Sequence, residues 1–158
     1  MTPHLIRILM IVASIATPFV LASCRSTTLL EIPGEGLSGD AEDILRRLRA
    51  EESLPPLSRD AGLEAAARQQ AELMAGAGRM EHTAVRGQDF VTRIRSNGIE
   101  GAAAENIAHG NYDMERLFLA WMNSRGHRLN MMDRRFTRFG LASAGTGRDR
   151  YFALVVAR

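Results

Sequence analysis

The chain contains a single cysteine, Cys24, among its 158 residues. No disulfide can close within it, so the fold must be held by a core of its own. The position of Cys24 adds a second constraint. It ends an N-terminal stretch in which Arg7 supplies a short positive start and residues 8–21 form an apolar run. That run is interrupted by Ser14, Thr17 and Pro18. It is shorter than the roughly 20 residues that span a bilayer as a helix, but it has the length of the apolar region of a secretory signal. Once an export segment is subtracted, about 120 residues remain. That is enough for one domain burying roughly two-thirds of its unfolded surface.

Leu21-Ala22-Ser23-Cys24 resembles the bacterial lipobox. In signals of that kind the chain is cut just before the cysteine, whose thiol takes lipid. Small Ala22 and Ser23 suit a peptidase pocket, and a thiol is what forms the thioether. The resemblance implies a signal peptide over residues 1–23 and acyl chains such as palmitate on Cys24. Each buried lipid CH₂ contributes about 0.8 kcal/mol, so several chains anchor firmly where one would not. Residues 24–39 are polar and carry Pro33, Gly34, Gly36 and Gly39. They read as a tether spanning about 20 Å root-mean-square. The implied partner is a membrane, and the implied place is the bacterial envelope outside the cytoplasm. Arg25, standing where aspartate often signals inner-membrane retention, points to an outer membrane facing the periplasm in a two-membrane cell.

All 20 basic residues are arginine, against 18 acids. Without Arg7 the net charge is +1, a balance that does not predict a nucleic-acid partner, which needs clustered positive charge.

From residue 40 onward the periodicity places four helices. Asp40 is positioned to cap the first, whose inner face is Ala41, Ile44, Leu45 and Leu48. Leu54-Pro55-Pro56-Leu57 is extended, because a residue before proline avoids helical angles. Ser58 or Asp60 starts a second helix with a small inner face of Leu63, Ala66, Ala67, Ala71 and Met74, ended by Gly76 and Gly78. A third covers Gln88 to Asn97, burying Phe90, Val91 and Ile94, with Gly98 as its stop. An extended Ala-rich stretch runs to Ile107. Asp113 then caps a fourth helix, with Met114, Leu117, Phe118 and Trp121 facing the core. Phe136 to Ala142 alternate as a strand, Gly145 and Gly147 turn the chain, and Tyr151 to Val156 are continuously apolar, as in a strand covered on both faces. The reading is an α+β domain over residues 40–158, a three-layer α-β-α sandwich with a small central, mainly antiparallel sheet.

Several phrases in this region, taken in order, resemble the CAP superfamily of cysteine-rich secretory, antigen 5 and pathogenesis-related 1 proteins, most closely its cysteine-poor, SCP-like bacterial branch. They are Leu54-Pro55-Pro56-Leu57 with Asp60 and Leu63, Met80-Glu81-His82-Thr83, Ala104-Glu105-Asn106-Ile107-Ala108 and the run from Trp121 to Asn130, followed by Phe136 and Phe139-Gly140-Leu141. The resemblance implies an α-β-α sandwich with a concave site in which His82 and His127 are the two histidines and Glu105 the acid. Two positions depart from the family pattern. Ala104 stands where glycine is usual, and Ser124 stands where four-residue sites carry a second glutamate.

Two imidazoles and a carboxylate are reasonable zinc ligands with an open position for water, and His82 with His127 form the metal expectation. The same three residues are the catalytic candidates, since imidazole also does acid–base work near neutral pH. Glu105 reads either as the site acid or as a support for a neighbouring loop. Asn130 reads as fixing the turn after His127, with Gly126 supplying backbone freedom beside it. Ser124 lacks a G-x-S-x-G nucleophile elbow, so a serine triad with His127 and Glu105 is not expected. The binding cleft is accordingly His82, Glu105, Ser124, His127 and Asn130. The leading function is a non-catalytic, lipid-anchored binding module for a lipid-like, cell-wall or protein ligand. The alternative is a metal-dependent hydrolase using zinc at the same cleft.

Overall fold

The computed structural model describes residues 32–158. The expected signal peptide, Cys24 and the first part of the expected tether lie outside the described residues. The tether reading extends too far in one respect. Residues Gly34–Gly36 form a strand, β1, paired antiparallel with a later strand, and the Gly34 N–H donates to Glu72 Oε1 at 2.9 Å.

Helix α1 runs Ser38–Glu51 and begins two residues before Asp40, which lies in its first turn and is not the cap. The start is set by distant partners. Glu64 Oε2 accepts from the Ser38 N–H at 3.2 Å, and Ser38 Oγ accepts from the Leu141 N–H at 2.9 Å. Ala41, Ile44 and Leu45 are buried, together with Arg49, an inward charge that the apolar pattern does not reveal. The extended Pro-Pro segment leads into β2, Ser58–Arg59. Asp60 caps α2, Ala61–Ala77, accepting from the Leu63 N–H at 2.9 Å. Gly76 stays inside this helix, and Gly78 alone ends it, in the left-handed conformation that glycine adopts without strain.

Helix α3 is shorter than expected, Phe90–Ser96, capped by Asp89. Its inward residues are Arg93 and Ile94, whereas Val91 is 53% exposed. With Arg93 as well as Ile94 turned inward, the buried face centres near the direction of Phe90, and position 91 falls roughly 110° from that centre at about 100° per residue. Strand β3, Ala103–His109, follows, then α4, Met114–Asn123, with Asp113 as its cap. The chain breaks at Ser124 and resumes as α5, Arg125–Met131, where the sequence reading placed only a turn. Gly126 lies within α5 and has no positive φ, so it supplies no special backbone freedom.

Strand β4 is Arg138–Ala144, and β5 is Tyr151–Ala157. The first begins two residues later than expected and is buried from Phe139 onward, with no polar face. The sheet order β1-β4-β5-β3 explains this: β4 and β5 are central, and helices cover both faces. All pairings are antiparallel except β2 with β4. The two faces of β5 divide the core. Phe152, Leu154 and Val156 join Leu45, Leu117, Phe118 and Trp121 under α1, α4 and α5. Ala153, Val155 and Ala157 join Leu63, Ala67, Ala71 and Met74 under α2, with Ile94 of α3. The second layer packs unusually close, for a Cβ on Gly140 would overlap the backbone of Leu63 and Glu64. The α+β three-layer sandwich is therefore the architecture observed.

Candidate functional site

The edge strand β3 organises the site. Neighbouring residues of a strand point to opposite faces, and here Glu105 bonds groups on the α3 side while Asn106 bonds α5. Glu105 is 7% exposed and Asn106 1%. Two adjacent residues thereby reach two layers of the sandwich from one edge of the sheet.

His82 lies on the irregular connection between α2 and α3. Such a segment has no ladder of its own, and buried side chains hold it instead. Gln70 of α2, fully buried, donates to the Glu81 carbonyl at 2.7 Å. Arg93 of α3 donates to the carbonyls of His82 at 3.1 Å and Gln88 at 2.5 Å. The His82 ring meets Glu105 through Nδ1 and Oε1 at 2.8 Å. The other carboxylate oxygen accepts from Arg93 Nη2 at 2.6 Å, and both of those side chains are almost wholly buried. The His82 side chain itself is 55% exposed. Glu105 thus holds a loop through side chains, one of the two readings it had.

His127 comes from α5 and is held from the opposite face of β3. Asn106 Nδ2 donates to the His127 carbonyl at 3.0 Å. Asn130, one turn along α5, donates to Asn106 Oδ1 at 2.9 Å and to the Glu105 carbonyl at 3.4 Å. Asn130 therefore ties a helix to the edge strand and does not shape a turn. Trp121 is core, 1% exposed, with its indole N–H donating to the Ile107 carbonyl at 3.1 Å and its ring edge-on to His127 at 6.4 Å. Burial, with a charge on His82 adding to it, holds the His127 imidazole below its ordinary value. Ser124, between α4 and α5, makes no side-chain cap.

The donor set does not fit zinc held by protein ligands. A zinc site takes three or four of them. Both oxygens of Glu105 are engaged, one by a guanidinium, and among the described residues no group of three His, Cys, Asp or Glu side chains is arranged to hold a metal ion. Arg93 and Gln70, which help build the site, escaped the sequence reading, and Asn106 entered it only as part of a motif. A buried arginine looks like any other in a chain whose every basic residue is arginine. The one available signal was the place of Arg93 beside Ile94 on the inner face of α3.

A three-layer sandwich whose edge strand sets Glu105 against the His82 ring and Asn106 against the His127 carbonyl defines a class. Residues 43–157 match the family model of the CAP, or cysteine-rich secretory protein, family, and the chain belongs to that family. The YkwD protein of Bacillus subtilis (strain 168) is 33% identical over 100 residues, 63% of this chain and 39% of that protein. The chain thus matches well under half the length of that relative. An extracellular protein containing a SCP domain from Bacillus anthracis superposes with a TM-score of 0.68 at 23% identity, over 76% of this chain and 39% of that one. An outer surface protein from Borrelia burgdorferi superposes with a TM-score of 0.65 at 21% identity, over 78% of this chain and 96% of that one. Both share its fold.

Proposed function

We propose that this protein is a lipid-anchored CAP domain outside the cytoplasm that binds a ligand at the His82–His127 cleft and does not transform it. The observation that carries the reading is an exposed imidazole resting on a buried ion pair, His82 on Glu105 and Arg93. A buried ion pair seldom adds stability over apolar residues of the same size, so its use here is to orient the ring above it. With its side chain only 2% exposed and each oxygen already accepting a hydrogen bond, Glu105 is poorly placed to activate a water. The extracytoplasmic placement rests on the signal-like N terminus and Cys24, and it agrees with the extracellular and outer-surface descriptions of the two structural relatives.

Two measurements test this. Cys24→Ser should abolish lipid labelling and membrane fractionation, and a processed, membrane-bound mutant would end the anchoring reading. For the cleft, the full-length protein in detergent is titrated with soluble cell-wall muropeptides and, separately, with short-chain phospholipid. One of them should shift the ring signals of His82 and His127 saturably, with the shift lost in His82→Ala. Silence from both rings would sink the binding reading, and turnover of either compound would make the protein an enzyme.

A further inference from the structure

Arg93 belongs to no expected site, yet it is the most constrained charge near the cleft. Its side chain is 1% exposed and donates to three acceptors, the carbonyls of His82 and Gln88 and Glu105 Oε2. A guanidinium only donates hydrogen bonds. Whatever stands at position 105 must therefore present an acceptor to Arg93. A carboxylate does so with one oxygen and still has an acceptor for the 2.8 Å contact with His82 Nδ1. In the neutral ring the nitrogen in that contact must then carry the proton, and Nε2 carries the lone pair. In a free histidine side chain the Nε2–H tautomer is the commoner one, so the arrangement imposes a state that the ring does not prefer.

We propose that Arg93 is a positioning residue that, acting through Glu105, locks His82 as the Nδ1–H tautomer and so makes its Nε2 a hydrogen-bond acceptor for a donor group on the ligand. The proposal deepens the binding reading and names the chemistry of its partner, a hydroxyl or amine hydrogen rather than a carbonyl or carboxylate oxygen. The Gln70–Glu81 bond contributes by holding the loop that carries the ring. The ring is more than half exposed, so its free nitrogen is reachable.

The test reads the tautomer directly, without any ligand. Long-range proton–nitrogen correlation spectra of the full-length protein in detergent are recorded at about pH 8, where ordinary imidazoles are neutral. Wild-type His82 should show Nδ1 protonated. In Glu105→Gln the amide must turn its carbonyl to Arg93 and its NH₂ to His82, so Nδ1 becomes the acceptor and the proton moves to Nε2. The inversion should disappear in the double variant Glu105→Gln with Arg93→Met, because the amide is then free to turn. Glu105→Gln is nearly isosteric, so the test survives even where the double variant fails to fold. A Glu105→Gln protein that keeps the wild-type tautomer overturns the proposal, as does a wild-type ring protonated at Nε2. Either result leaves the ligand titrations of the binding reading standing, and failure of those titrations leaves the tautomer result standing.

Discussion

Asn130 Nδ2 donates a 2.9 Å hydrogen bond to Asn106 Oδ1, joining α5 to the edge strand. Asn106 in turn donates to the His127 carbonyl at 3.0 Å, so two amides fix the helix that carries one histidine to the strand that orients the other. Asn130→Ala leaves the buried Asn106 oxygen without this partner, and an unsatisfied buried acceptor costs about 1–3 kcal/mol. Urea unfolding should show that loss. Asn130→Asp should be worse, since it faces one acceptor with another. A variant as stable as wild type would mean that the amide pair holds nothing.

Arg49 is fully buried and donates to the carbonyls of Pro55 at 2.7 Å, Met131 at 2.7 Å and Asp133 at 3.2 Å. These groups lie before β2 and at the end of α5, so one side chain clamps the Pro-Pro segment to the helix bearing His127. Burial lowers its pKa, opposed by Asp133. Arg49→Met strips several carbonyls at once and should cost at least about 2 kcal/mol. Arg49→Lys should not restore it, since a point ammonium cannot reproduce the planar fork. Denaturation midpoints of the two variants decide the matter, and full stability in the lysine variant would refute the clamp.

Trp121 separates packing from hydrogen bonding. Trp121→Ala should cost about 3–5 kcal/mol, as large-to-small core changes do. Trp121→Phe keeps much of the volume but leaves the Ile107 carbonyl without its indole donor, and should cost about 1–3 kcal/mol. Equal losses in the two variants would show that the hydrogen bond, and not the packing, is what the indole contributes.

The pH dependence has a definite sign. Burial, and then His82, hold His127 below the ordinary imidazole value of 6.5. Between its folded value and 6.5, the unfolded chain binds more protons than the folded one. The contribution of neutral His127 is therefore complete above pH 6.5 and is lost as pH falls from there through the folded value. Unfolding midpoints should drop on acidification from about pH 7 to about pH 5, and His127→Gln should flatten that slope. An unchanged slope in the glutamine variant would place the acid sensitivity elsewhere.

Local chemistry was legible from the sequence wherever a residue acts on its near neighbours. Asp60 and Asp113 cap the helices that follow them, because a carboxylate needs only the N–H three residues on. The apolar spacing of Leu63, Ala67 and Met74, or of Leu117 and Trp121, picks out the buried faces of α2 and α4, since helical period alone selects a face. The run from Tyr151 to Val156 marks a central strand. The ordered motifs around His82, Glu105 and His127 mark a family.

Other features depended on partners far away in the chain. The start of α1 is set by Glu64 and Leu141, and not by Asp40 beside it. The strand at residues 34–36 exists because β4 offers it an open edge. The inward charges Arg49 and Arg93 stand at inner-face positions but interrupt the apolar pattern there, for each is buried by virtue of carbonyls and a carboxylate that only the folded chain supplies. The state of His82 belongs to the same group. The sequence determined that the ring is present and that Glu105 and His127 accompany it. Which nitrogen of that ring carries the proton was decided by a donor-only guanidinium on α3, because a hydrogen-bond direction is fixed only when every partner has been brought within reach.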